Sequence, residues 1–243
     1  MSIDQEGFVY AVSPFNFTAI GGNLCSAPAL MGNVVLWKPA PAAMLSNYLV
    51  YQILLEAGLP KGVIQFVPGD AVQITKTALS HREFAGLHFT GSSAIFRTLW
   101  QQVSAALPTF KSYPRLVGET GGKNMHFVHA SADVASAACQ TLRGAFEYAG
   151  QKCSATSRAY VADTIWPEFK KALLTEYKQI KQGPVENFKH FVGPVIGPAS
   201  FQKIKTYIDA AKGDPSVEIL AGGTCPLFLF SFQPMDPSLS VSD

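Results

Sequence analysis

Residues 33–70 read NVVLWKPAPAAMLSNYLVYQILLEAGLPKGVIQFVPGD, and this stretch decides the fold. It opens on a short β-branched run, Val34 to Leu36, stopped by Pro39 and Pro41, which lack the N–H a strand ladder needs. Leu45, Leu49, Val50, Ile53, Leu54 and Ala57 then recur at helical spacing, and Gly58 with Pro60 ends that helix. Val63 to Val67 predicts a second strand, closed by Pro68-Gly69. Asp70 is placed to cap the next helix, its carboxylate accepting from free amides of the first turn. A strand, a helix and a returning strand form the unit of a parallel sheet.

Working outward, Leu87 to Phe89 predicts a third strand, followed by Thr90-Gly-Ser-Ser and a helix to about Ala106, and Leu116-Val117 marks a fourth strand. The strands starting at Val34, Val63, Leu87 and Leu116 lie 29, 24 and 29 residues apart. Each interval has room for a crossover helix, so the expected class is α/β, with a doubly wound parallel sheet covered on both faces. Beyond Lys123 the rhythm loosens. Met125 to Val128 and Ala159 to Val161 read as strands, Asp133 caps a helix to about Tyr148, and Ile165 to Ile180 and Phe201 to Ala211 read as helices. From Pro226 the pattern changes to an apolar Leu227–Phe232 followed by a proline- and serine-rich end, which is read as a disordered tail foreign to the fold.

Composition narrows the function. Of 243 residues, 48% are hydrophobic and 15% charged, against about 25% charged in typical soluble chains. That balance excludes disorder over most of the length and supplies a sizeable core. A net charge of +2 gives no electrostatic case for nucleic acid or a membrane surface, and Leu227–Phe232 falls far short of the ~20 apolar residues of a span. The four cysteines form no CxxC pair and no zinc-like spacing with histidine, a pattern of a reducing compartment and no metal. The start, Met1 to Glu6, is acidic and has neither an apolar signal core nor an Arg-rich transit pattern.

Open α/β sheets bind ligands beyond the carboxyl ends of their strands. The residues expected there are Lys38 after the first predicted strand, Gly91-Ser92 after the third, and Glu119-Thr-Gly-Gly-Lys123 after the fourth. Gly91-Ser92 opens a helix, where free amides and the helix dipole suit a phosphate, though a Gly-Ser pair is also an ordinary turn. Lys38 and Glu119 are surface charges in isolation. The functional alternative for Lys38 is a hydrogen bond to ribose hydroxyls from a lysine fixed by Pro39, and for Glu119 a carboxylate flanked by Gly118 and Gly121-Gly122, which would let backbone approach a ligand closely. Cys153, after Gly150-Gln151-Lys152, is expected at a helix start. A helix N-terminus and a neighbouring lysine would favour its thiolate, whereas Cys25, Cys139 and Cys225 lack that setting.

Pro14-Phe15-Asn16, Trp37-Lys38-Pro39, Phe89-Thr90-Gly91-Ser92, Gly118-Glu119-Thr120-Gly121-Gly122-Lys123-Asn124 and Gly150-Gln151-Lys152-Cys153 occur in this order. The series resembles the NAD(P)-dependent aldehyde dehydrogenase superfamily over roughly Gly7 to Cys225. Ser13-Pro-Phe-Asn-Phe-Thr-Ala-Ile-Gly-Gly-Asn and Gly150-Gln-Lys-Cys-Ser-Ala are most similar to its pyrroline-5-carboxylate dehydrogenase branch.

The resemblance implies a Rossmann-like NAD-binding domain over 7–124, an incomplete α/β catalytic domain with the nucleophile over 125–225, and a non-family tail over 226–243. It implies NAD as cofactor and a small aldehyde, glutamate γ-semialdehyde, as substrate. Cys153 would be the nucleophile, Glu119 the general base and Asn16 an oxyanion donor. Lys38 would hold the adenosine ribose, Gly91 and Ser92 the pyrophosphate, and Ser13 would lie along the cofactor. Phe17 would line the aliphatic part of the substrate and Ser154 would donate to its carboxylate.

Where many members carry a glycine five residues after Gly91, this chain has Phe96, so the family's exact phosphate pose does not carry over. Family enzymes are longer. The Glu-x-Phe-Gly-Pro segment, the substrate-carboxylate loop and the hairpin that makes the family homo-oligomeric have no counterpart here, which counts against assembly. The alternative expectation is therefore a truncated NAD-binding form without turnover, or one that pairs with a full-length partner. The branch works in the mitochondrial matrix; without a presequence the default is cytosolic.

Overall fold

The computed structural model describes residues 7–225, so the readings of Met1–Glu6 and of the tail from Pro226 lie outside the described residues. The chain divides into two compact units, the first ending at Gly121 and the second beginning at Gly122. The first runs β1 (Phe8–Val12), α1 (Thr18–Leu30), β2 (Val34–Lys38), α2 (Met44–Glu56), β3 (Ile64–Phe66), α3 (Ala71–Leu79), β4 (Phe84–Thr90), α4 (Ser93–Ala105) and β5 (Arg115–Glu119). The second runs β6 (Asn124–Val128), α5 (Val134–Phe146), β7 (Thr156–Val161), α6 (Trp166–Tyr177) and α7 (Pro198–Gly213).

All pairings in the first unit are parallel, in the order β3-β2-β1-β4-β5. This is the α/β architecture expected from the strand spacing. Side chains alternate across the pleat. Ala11, Val35, Trp37 and Ile64 pack with Leu24 and Cys25 of α1 on one face, with Val50, Tyr51 and Leu54 of α2 around them. Tyr10, Leu87 and Phe89 pack with Ala78 and Leu79 of α3 and Leu99 and Val103 of α4 on the other. Each large apolar side chain taken from water in this way contributes about 1.5–3 kcal/mol.

Two elements lie ahead of Asn33, where the sequence reading begins its rhythm, and β1 is the central strand. Tyr10 and Ala11 are fully buried because both faces of β1 are covered. Such a strand shows an unbroken apolar run with no alternation to read. α1 carries Gly21, Gly22 and Pro28, all poor helix formers. Close packing against α2 overrides that deficit. A Cβ on Gly21 would come 2.2 Å from Asn47 Oδ1, and one on Gly22 would come 3.2 Å from a methyl of Val50.

Both predicted caps form. Asp70 accepts from Gln73 N–H at 2.8 Å ahead of α3, and Asp133 accepts from Ser136 N–H at 2.7 Å ahead of α5. In the second unit β6 and β7 pair in parallel, with Val128, Ala138 and Phe169 at the centre of the core against α5 and α6. α5 stops at Phe146, short of the expected Tyr148, because Tyr148 and Ala149 turn left-handed with φ of 55° and 54°.

Candidate active site

In the first unit the strand order reverses direction between β1 and β4, the switch point where open α/β sheets leave a crevice at their carboxyl ends. The last residues of these strands are Val12 and Thr90, so Ser13 and Gly91-Ser92 flank that crevice. Ser13 is buried, and its N–H donates to the Lys38 carbonyl at 3.2 Å, joining the ends of β1 and β2. Asn16 is half-buried in the loop between β1 and α1, and Phe17 is the extended residue before the first turn of α1.

Lys38 ends β2 and is only 6% exposed. Burial pushes its pKa down, partly offset by the Asp70 carboxylate. A buried ammonium of this kind calls for polar partners, and ribose hydroxyls are suited to it. Ser92 caps α4, its Oγ accepting from Ile95 N–H at 3.3 Å. That bond leaves the Ser92 hydroxyl proton and the first amides of α4 available to an anion.

Between α3 and α4 lies a cleft of about 560 Å³, with Val72, Thr75, Ile95, Thr98 and Gln102 in its walls. Tyr10 braces one wall through a 3.0 Å hydrogen bond between its hydroxyl and that of Thr75. An apolar cleft of this size accepts a flat heterocycle. The buried lysine, the helix opening and this cleft together fit a dinucleotide. Sequence reading did not pick out the cleft, although the exposed apolar Val72 and Ile95 on their helices were its signal.

Glu119 ends β5 in register with Thr90, and its carbonyl accepts from Gly91 N–H at 3.1 Å. Its carboxylate is on an exposed residue. The preceding Gly118 lies under Phe96, where a Cβ would meet the ring at 2.2 Å. Phe96 itself stacks on Phe89 and meets Trp100 edge-on.

In the second unit Cys153 and Ser154 are both exposed and lie on the turn that leads into β7. This corrects the expectation of a helix start. No helix begins at Cys153, so the helix N-terminus expected to favour its thiolate is not formed by these residues. Lys152 is also engaged elsewhere: its ammonium pairs with the Glu147 carboxylate at 2.5 Å and holds that carboxyl below its ordinary range.

Three left-handed residues, Tyr148, Ala149 and Gly150, lead into this turn. The ion pair from Glu147 to Lys152 spans them. Gln151 adds two further ties, donating to the Tyr148 carbonyl at 3.1 Å and accepting from Ile196 N–H at 2.8 Å. The Gly121-Gly122 pair, read from sequence as room for a ligand, has a local use as well. A Cβ on Gly122 would stand 2.8 Å from the Cys153 carbonyl oxygen, the same oxygen that accepts from the Asn124 side-chain amide at 2.5 Å. Gly122 and Asn124 therefore pack against the turn that carries Cys153. Asn124 enters the sequence reading only as the end of a motif and Glu147 not at all, because their roles arise from pairing across the fold.

Among the described residues no group of His, Cys, Asp and Glu gathers to hold a metal, and no helix is long and apolar enough to cross a membrane.

Residues 5–229 match the model of the aldehyde dehydrogenase family. A mitochondrial delta-1-pyrroline-5-carboxylate dehydrogenase of Emericella nidulans is 63% identical over 221 residues, covering 90% of this chain and 39% of the relative. The human mitochondrial enzyme of the same name is 57% identical over 221 residues, with the same coverage of 90% and 39%. The crystal structure of the Mycobacterium tuberculosis delta-pyrroline-5-carboxylate dehydrogenase bound with NAD superposes with a TM-score of 0.87 at 46% identity, covering 90% of this chain and 41% of that one. The chain thus spans about two fifths of the length of the relatives it matches.

Proposed function

The chain belongs to the aldehyde dehydrogenase family, and from that premise we propose that the protein oxidises L-glutamate γ-semialdehyde, the open form of pyrroline-5-carboxylate, to L-glutamate with NAD. The observation that carries the reading is the exposed Cys153 on a turn braced by Gly122 and Asn124. The names of the relatives support the substrate, and the NAD bound in the similar crystal structure supports the cofactor. The mitochondrial relatives support the matrix as the place of work. The partner is a small aldehyde.

Cys153 attacks the aldehyde carbon as a thiolate, and the new C–S bond makes a tetrahedral thiohemiacetal. The Asn16 side-chain amide and the Cys153 backbone N–H donate to the oxygen on which negative charge develops. Bound NAD supplies the hydride acceptor, and loss of hydride from this carbon leaves a thioester on Cys153. Glu119 takes a proton from the water that attacks the thioester, and Cys153 departs as thiolate.

Lys38 donates to the adenosine ribose, Gly91 and Ser92 adjoin the pyrophosphate, Ser13 lies along the dinucleotide, and the cleft between α3 and α4 takes the adenine. Phe17 lines the aliphatic part of the substrate and Ser154 donates to its carboxylate. An unchanged KM for the semialdehyde in Ser154→Ala would remove that last role.

The test is NADH formation by the chain with glutamate semialdehyde, run beside Cys153→Ala. Turnover that vanishes in the variant supports the enzyme reading. Absent turnover together with a melting temperature raised by NAD limits this chain to binding the cofactor. Absence of both overturns the proposal for these residues.

A further inference from the structure

Trp37 has no exposed surface, and its indole N–H donates to Ser13 Oγ at 3.0 Å in a buried hydrogen bond that links β2 to the residue just past β1. The ring cannot easily swing away, since Phe66 meets it edge-on at 5.1 Å. Ser13 is equally confined: it is 4% exposed and tied through its N–H to the Lys38 carbonyl. An indole N–H is a donor only, so a hydroxyl that accepts from it must aim its own proton elsewhere. Among the described residues Ser13 Oγ makes no second hydrogen bond, and it stands at the switch-point crevice.

We propose that Trp37 is a positioning residue for the cofactor: its indole N–H orients the Ser13 hydroxyl so that Ser13 acts as a donor to an acceptor oxygen of the dinucleotide. The assignment rests on the NAD reading above and adds a residue that reaches the cofactor only through another. Without the indole, the Ser13 hydroxyl is free to rotate and turn its proton in other directions. With the indole on one lone pair, Ser13 Oγ keeps a second lone pair and its proton, and that proton is turned away from the indole, where it can meet a ribose or phosphate oxygen of a dinucleotide.

A double-mutant cycle on NAD affinity tests it, with calorimetric titration of the parent chain, Trp37→Phe, Ser13→Ala and the double variant. Trp37→Phe keeps an aromatic ring against Phe66 and removes the N–H. Each single change is expected to weaken NAD binding about fivefold, the weight of one neutral hydrogen bond. The double variant should bind no more weakly than Ser13→Ala alone, because the indole acts only through the hydroxyl. A purely packing role for Trp37 would cost as much without the Ser13 hydroxyl as with it, so additive losses overturn the proposal. An unchanged affinity in Trp37→Phe also overturns it. Should that variant not fold, benzothienylalanine at position 37 keeps the bicyclic shape with sulfur in place of N–H, and carries the same expectations. A parent chain that fails to bind NAD sinks the cofactor reading and this assignment together, whereas a binding parent with an additive cycle sinks this assignment alone.

Discussion

Gly118→Ala places a methyl where the Phe96 ring already lies. The new Cβ would stand 2.2, 2.4 and 2.5 Å from three atoms of that ring, well inside van der Waals contact. The ring must move, and two partners oppose its movement. It stacks on Phe89 with centroids 5.5 Å apart and meets Trp100 edge-on at 5.7 Å. Each aromatic pair contributes about 0.5–1.5 kcal/mol beyond burial, so losing both costs about 1–3 kcal/mol, the range also found for overpacking a core. For a chain of this size that corresponds to a fall of roughly 2–12 °C in melting temperature. Urea titration followed by circular dichroism measures it directly. Phe96→Leu removes the fixed ring, so in that background Gly118→Ala should cost less than about 0.5 kcal/mol, a coupling expected of residues in contact. Equal costs in both backgrounds, or no cost in the parent, would refute the reasoning that the ring dictates glycine at 118.

Ala149→Gly should stabilise the second unit by about 0.5–1 kcal/mol, because Ala149 sits at φ 54° and a left-handed non-glycine residue costs roughly 1–2 kcal/mol, partly returned as glycine's unfolded-state entropy; a lower urea midpoint would contradict this. Glu83 and Glu147 are held below their ordinary 4.5 by hydrogen bonds from the Lys111 and Lys152 ammonium groups. A depressed carboxyl pKa gives stability that is complete above the unfolded value and lost as pH falls through the folded one, so Glu83→Gln and Glu147→Gln should each flatten the melting temperature profile on the acid side of about pH 4.5; profiles parallel to the parent would exclude the effect. Cys25 is fully buried and its thiol is pushed up to about 12, whereas Cys139 and Cys153 are exposed. Iodoacetamide at pH 8 should therefore label Cys139 and Cys153 in the folded chain and spare Cys25 until denaturant is added, which peptide mass spectrometry reads.

Much of the first unit was legible in the sequence because local chemistry and tertiary fold agree there. Pro39 and Pro41 end β2, Gly58 ends the helix after it, and Asp70 caps α3, each through backbone rules that act within a few residues. The ordered motifs around Asn16, Lys38, Gly91, Glu119 and Cys153 marked the family, since five such motifs in one order are hard to meet by chance.

Other features depended on distant parts of the chain. β1 carries no alternation because both its faces are buried, and α1 is poor in helix formers, so only parallel pairing and close packing against Asn47 and Val50 reveal them. The setting of Cys153 was misjudged for the same kind of reason. The residues after it join a strand paired to β6, and its lysine neighbour pairs backward with Glu147. Periodicity, proline, glycine and capping act within one element, so the sequence by itself determined the strand-and-helix order from Asn33 to Glu119 and the α/β class. Strand pairing, close backbone approach and the choice of partner for each buried or charged group join residues far apart in the chain. Those only the tertiary structure decided, because their energies exist only once the distant surfaces have met.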